Sequence, residues 1–277
     1  MHLIIVCNES YMMHIHLKNF PPRLHDAESG QNRPALVMLH GWSMHSGLWQ
    51  RLAEQLAQHF RVICLDLPGH GFSASCTPYQ LETVTDTLVQ AIPVQQFVVV
   101  GWSLGASIAL DMAWRYPQRV SHVITLAGNP CFVEQSDWPG VQADVLARFS
   151  ENLSHNSPQT LVRFLALQVN GLPEGKHLLR QLKIAVESCP PPAVDALQGG
   201  LEILQRCDLR DKLATLPQPV LAILGDQDKL IPPALAEAIK QKRADCQISV
   251  LAGAGHAPFL THSDRIQQAI VQFVKDG

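Results

Sequence analysis

The stretch from Phe97 to Leu110, FVVVGWSLGASIAL, decides the fold. A run of mostly β-branched residues has the composition of a buried strand. It breaks at Gly101-Trp102-Ser103-Leu104-Gly105 and resumes at once as a small-residue helix. A strand that passes straight into a helix must turn a very tight corner. Glycines two residues before and two after the corner admit the strained backbone and the close helix–strand approach. The corner residue, Ser103, is then held proud of the sheet at a helix N-terminus. There the helix dipole and the unbonded N–H groups favour developing negative charge.

The same rhythm extends in both directions. Short apolar runs bounded by glycine or proline occur at 35–41, 61–69, 97–103, 122–128, 219–226 and 247–255. Between most of them lie amphipathic helical stretches at 47–59, 81–91, 103–115, 233–242 and 263–275. Strands that are apolar throughout, rather than alternating, are buried on both faces, which predicts an α/β fold with a mostly parallel sheet flanked by helices. His14 to Leu17 adds an antiparallel edge strand. The interval 131–215 has helical periodicity, no strand pattern and a Pro190-Pro191-Pro192 break. It reads as a helical lid inserted into a core made of 13–130 and 216–277, because a structureless loop of that size is implausible. Residues 1–12 read as a disordered N-terminal extension, with Met12 or Met13 as alternative starts to Met1.

The bulk numbers fit a soluble globular chain. Its 277 residues are 47% hydrophobic and 16% charged, and a chain of that length buries roughly three quarters of its unfolded surface. A net charge of −3 supplies no global basic field for nucleic acid. The N-terminal apolar run, Leu3 to Cys7, has no basic flank and is too short for a signal segment or a membrane span. The seven cysteines are scattered, with no C-x-x-C pair, so neither a disulfide framework nor a zinc site is expected. No H-x-x-x-H pattern or clustered Cys/His ligand set appears, so no metal or other cofactor is predicted. A reducing cytoplasm, a monomer and no membrane or nucleic-acid partner complete the expectation.

A serine hydroxyl is a poor nucleophile without a base, and an imidazole needs a carboxylate to hold its tautomer. Asp228 follows the run 219–226 in GDQDKLIP, and His256 follows 247–253 in AGAGHAPF. Both therefore stand at C-terminal strand ends, where open α/β sheets bind ligands. Asp226 is the alternative acid, with Asp228 then a turn cap, but Asp226 is still close to the strand end. Among thirteen histidines, His256 is preferred because Gly253 and Gly255 flank it; His262 is the more distant alternative. An oxyanion hole needs two backbone N–H donors: Leu104 supplies one by position, and Trp42 in HGWSM is the candidate for the other. The block DLPGHGFS at 66–73 has neither G-x-G-x-x-G spacing nor a P-loop lysine, so it is read as scaffold rather than as a nucleotide site.

Taken in order, HGW, D-x-x-G-x-G-x-S, GWSLG, GDQD and GH identify a resemblance to the α/β-hydrolase superfamily across nearly the whole chain. A narrower one rests on PCF…WPG (130–140), RFLALQ (163–168), GGLEIL (199–204), DLR (208–210) and GHAPF (255–259). Together these resemble the biotin-pathway carboxylesterases that hydrolyse pimeloyl-acyl-carrier-protein methyl ester. The resemblance implies a serine esterase whose lid meets an acyl carrier protein through basic side chains, here Arg163, Arg180 and Lys176. It also implies that Phe164 lines the acyl channel and that Trp102 and Leu104 flank the serine. Gln159 stands where another basic residue is expected. The residues themselves give a local excess only: Arg148, Arg163, Lys176, Arg180 and Lys183 face Glu151 and Glu174, in an interval that is not basic overall. Two other functions stay open on the sequence. One is a general short-chain carboxylesterase or carbon–carbon bond hydrolase of the same fold. The other is a non-catalytic ligand-binding protein built on it.

Overall fold

The computed structural model describes residues 14–20 and 33–277; the proposed extension at 1–12 and the choice of start lie outside them. Seven strands form one sheet: β1 (Leu17–Phe20), β2 (Ala35–Leu39), β3 (Arg61–Leu65), β4 (Phe97–Trp102), β5 (Val120–Leu126), β6 (Val220–Gly225) and β7 (Gln247–Leu251). Their order is β1-β3-β2-β4-β5-β6-β7, parallel except for β1, which pairs antiparallel with β3. Every residue of β2, β4 and β6 is buried. Burial on both faces is what their unbroken apolar runs require, and each fully buried Val, Leu or Ile contributes roughly 1.5–3 kcal/mol.

Helices cover the faces: α1 (Gln50–Leu56), α2 (Leu81–Ala91), α3 (Leu104–Arg115), α9 (Leu235–Lys242) and α10 (Ser263–Asp276). The expected helix 47–59 is shorter than its pattern, because Ser46–Trp49 is a 3-10 turn and α1 stops at Leu56. The edge strand is displaced to Leu17–Phe20; residues 14–16 instead bond loops, His14 accepting from Ala74 N–H and His16 from Asp66 N–H. α3 is buried continuously from Leu104 to Ala113, as a helix apolar on all sides must be.

Between β5 and β6 lie α4 (Ala143–His155), α5 (Ser157–Gln168), α6 (Gly175–Glu187), α7 (Val194–Arg206) and the short α8 (Arg210–Thr215). Only isolated bridges, such as Cys131 with Asp208, add β pairing there. α6 is a one-faced helix, with Leu178 and Leu182 buried and Lys176 and Arg180 exposed. Pairing of β2, β4 and β5 in register puts the ends of adjacent parallel strands at one edge of the sheet, and the loops after β2, β4, β6 and β7 converge there.

Candidate active site

Ser103 sits at φ 55°, ψ −117°, a left-handed conformation that non-glycine residues rarely adopt. The flanking glycines are steric necessities. A Cβ on Gly101 would lie 2.1 Å from the Gly105 carbonyl oxygen, and one on Gly105 would lie 2.4 Å from the Leu39 carbonyl oxygen. Strand, corner and helix therefore pack backbone to backbone, with Ser103 aimed out at the sheet edge.

Three side chains from three strand ends meet there. His256 Nε2 is 3.0 Å from Ser103 Oγ, and His256 Nδ1 is 2.8 Å from Asp228 Oδ2. All three residues are at most 5% exposed. With Asp228 accepting from Nδ1–H, the Nε2 lone pair faces the serine hydroxyl. The other Asp228 oxygen, Oδ1, accepts from the N–H groups of Leu230 (2.8 Å) and Ile231 (3.0 Å), which fixes the carboxylate plane. Asp226 is engaged elsewhere, accepting from Gly253 N–H at 2.7 Å. His262 bonds the Ala252 carbonyl at 3.1 Å, outside this cluster.

The remaining expected residues surround the serine in different ways. Leu104 opens α3, so its N–H has no acceptor within the helix. Trp42 lies on the adjacent loop after β2, beside Ser43 at φ 63°. His40 ties that loop down: its Nδ1–H donates to Gly41 O at 2.8 Å and its Nε2 accepts from Leu67 N–H at 2.9 Å. Burial lowers the His40 pKa to about 3, so the ring stays neutral and keeps this one tautomer. The Trp42 indole is fully buried, edge-on to Phe164 with ring centroids 4.8 Å apart, and donates to the Leu197 carbonyl at 2.8 Å. Trp102 does not present its ring to solvent; it packs on Trp49 and Phe259, and its indole N–H donates to the His256 carbonyl at 2.7 Å.

Arg163, Lys176 and Arg180 are exposed on α5 and α6, with no ion-pair partner among the described residues. None of the three bonds to Ser103, His256 or Asp228. Gln159 is exposed on α5, its N–H bonded to the cap residue Asn156. Leu161 and Leu165 line a groove of about 390 Å³ between α5, α6 and α7, whereas Phe164 points the other way, to Trp42. The groove does not include Ser103 or His256. Sequence reasoning missed several backbone partners: the Leu230 and Ile231 N–H groups, the Leu197 carbonyl, and the Gln168 carbonyl, which accepts from His256 N–H at 3.2 Å. A main-chain group carries no residue signature, so only the proline in Leu230-Ile231-Pro232 hinted at a turn after Asp228.

No helix of the described residues is long and apolar enough to cross a membrane. A nucleophile, base and acid linked in series with a helix N-terminus beside them can carry acyl transfer. Comparison with known proteins agrees with that chemistry. A family model described as alpha/beta hydrolase fold matches residues 34–263. The pimeloyl-[acyl-carrier protein] methyl ester esterase of Methylococcus capsulatus is 40% identical over 247 residues, covering 89% of this chain and 97% of that protein. The enzyme of the same name from Xanthomonas campestris is 42% identical over 243 residues, covering 87% and 95%. Among solved structures, an esterase from Exiguobacterium antarcticum superposes with a TM-score of 0.82 at 22% identity, over 95% of this chain and 96% of that one, a likeness of fold. The chain belongs to the alpha/beta hydrolase family and, within it, to the pimeloyl-[acyl-carrier protein] methyl ester esterases.

Proposed function

We propose that this protein is a cytoplasmic serine carboxylesterase that hydrolyses the methyl ester of pimeloyl-acyl-carrier-protein, releasing pimeloyl-acyl-carrier-protein and methanol in biotin biosynthesis. The observation that carries the reading is the bonded series Ser103–His256–Asp228 in a chain of this family. His256 Nε2 takes the Ser103 proton as Oγ attacks the distal ester carbonyl. The backbone N–H groups of Trp42 and Leu104 receive the oxyanion, each such donor typically worth roughly 3 kcal/mol in the transition state. The tetrahedral intermediate collapses, His256 protonates the departing methoxide, and methanol leaves an acyl-serine. Water, deprotonated by the same imidazole, attacks that ester and frees the carboxylate and Ser103. Asp228 holds the imidazole orientation throughout.

The substrate carries two acyl bonds, a terminal methyl ester and a thioester to the carrier, and only the first is to be cut. In this reading the carrier docks on the exposed cations Arg163, Lys176 and Arg180, so that the arm reaches the serine with its far end. Charge complementarity with an acidic carrier favours that docking. Phe164, packed against Trp42, borders the acyl route. The test compares pimeloyl-acyl-carrier-protein methyl ester with free dimethyl pimelate by mass spectrometry, for wild type and for the Arg163→Glu/Arg180→Glu variant. The expected result is preference for the carrier-bound ester, an intact thioester, and loss of that preference alone in the variant. Equal rates on both substrates in wild type would reduce the protein to a general carboxylesterase.

A further inference from the structure

The helix α7 contains two adjacent interior glycines, Gly199 and Gly200. Glycine is a poor helix former compared with alanine, and neither residue has the positive φ that would call for it. Their neighbours supply the reason. A Cβ on Gly199 would lie 2.6 Å from the ring of Tyr79. A Cβ on Gly200 would lie 2.8 Å from Trp42 Cδ1 and 3.2 Å from Leu104 Cδ2. Gly200 thus touches the side chains of both residues whose N–H groups are proposed to form the oxyanion hole. One turn earlier on the same helix, the Leu197 carbonyl accepts the Trp42 indole N–H at 2.8 Å.

We infer that α7 positions the oxyanion hole, with Gly200 as the positioning residue: the bare glycine and the Leu197 carbonyl together fix where the Trp42 side chain lies, and so where its main-chain N–H points. The inference rests on the esterase reading above. Trp42 has little room to give way. Its ring is fully buried, faces Phe164 on another side, and sits on a loop that carries Ser43 in a left-handed conformation. The loop is equally confined below, where a Cβ on Gly41 would lie 3.1 Å from Trp102 and 3.2 Å from Ser103 Cβ. A methyl group at position 200 therefore displaces the tryptophan, and a donor aimed at a developing charge loses its value with small misplacement.

The experiment is a matched pair on one helix. Gly200→Ala and Gly199→Ala make the same change in propensity and volume one residue apart, against different neighbours. Each is assayed on dimethyl pimelate and p-nitrophenyl butyrate, with melting temperatures recorded. Gly200→Ala is expected to lower kcat tenfold or more with KM within about threefold, the pattern of an interaction made only in the transition state. Gly199→Ala is expected to keep kcat within about twofold while shifting the melting temperature through Tyr79. Trp42→Phe, which keeps the main-chain donor but loses the bond to Leu197, should also lower kcat, and it decides the matter if Gly200→Ala does not fold. Equal loss of kcat in both glycine variants, or wild-type kcat in Gly200→Ala or in Trp42→Phe, overturns the inference. Failure of the esterase reading looks different: wild type itself would then show no Ser103-dependent hydrolysis.

Discussion

Replacing Asp228 by asparagine separates the role of the carboxylate from its shape. Oδ1 accepts from two backbone donors, Leu230 N–H and Ile231 N–H, while Oδ2 faces His256 Nδ1. An asparagine has one oxygen and one NH2 group to distribute over these positions. Turning its NH2 toward the two N–H groups would set donor against donor in a buried site, at about 1–3 kcal/mol for each group left unsatisfied. The amide oxygen therefore stays on the Leu230–Ile231 side, and the NH2 points at His256. The imidazole must then accept at Nδ1, which moves its proton to Nε2. In that tautomer Nε2–H donates to Ser103 Oγ and has no lone pair to take the serine proton.

The expected result is a folded protein with kcat down by about 10⁴, equivalent to about 5 kcal/mol in the activation barrier. Initial rates on p-nitrophenyl butyrate near pH 7.5 provide the assay, with a thermal melt beside them to show that the site is still assembled. Asp226→Asn is the internal comparison. Its oxygen needs only to accept Gly253 N–H, which an amide oxygen does equally well, so kcat is expected within about twofold of wild type. An Asp228→Asn enzyme within tenfold of wild-type kcat/KM would refute the tautomer argument and, with it, the assignment of Asp228 as the acid.

Two further outcomes follow from the same structure. Gly101→Ala places a Cβ 2.1 Å from the Gly105 carbonyl oxygen; the backbone cannot yield there, and a melt should fall by at least about 6 °C, corresponding to about 3 kcal/mol of overpacking, if the chain folds at all. Burial lowers the His40 pKa to about 3 and the His70 pKa to about 4, against 6.5 when exposed. The unfolded chain then binds protons that the folded one refuses, so stability is full above about pH 6.5 and falls as the pH drops toward these values. Between pH 6.5 and 5 the loss is roughly 2 kcal/mol for each ring, read from urea midpoints, and His70→Asn should flatten that slope.

Much of this arrangement could be read from short windows of sequence. The central parallel strands announce themselves as unbroken apolar runs because they are buried on both faces; β7, at the end of the sheet, is fully buried only at Leu251 and falls short of that expectation. Ser103, Asp228 and His256 each follow such a run, so a local pattern places all three at one sheet edge even though Ser103 and His256 are 153 residues apart. The edge strand was harder, since LKNF at 17–20 has two exposed central residues and its partner β3 carries the apolar signal instead. Trp102 was legible as a neighbour of the serine but not in its contacts, because the direction of an indole depends on Trp49, Phe259 and the His256 carbonyl, all far along the chain. The choice between Asp226 and Asp228 likewise rests on which donor each oxygen meets, a property of loop conformation.

The helices between β5 and β6 show most sharply what local patterns omit. Their periodicity predicts helices, but not that three of their carbonyls face core loops: Leu197 accepts from the Trp42 indole, Gln168 from His256 N–H, and Ala185 lies 2.6 Å from His45 Nε2. Gln168 is the last residue of α5, where a carbonyl has no acceptor role left to fill within its own helix. At roughly 0.5–1.5 kcal/mol each, these bonds make lifting the helices as one body cost a few kcal/mol before any apolar surface is exposed. The same motion would release the Trp42 indole and the His256 backbone, dismantling the orientations that the proposed chemistry needs. Phe164, edge-on to both Trp42 and Phe149, is held by packing alone, so we expect its rotation to cost less than lifting the helices. Under the proposed chemistry, α5 and α7 are therefore expected to stay in place during turnover, held by the Leu197 and Gln168 carbonyls.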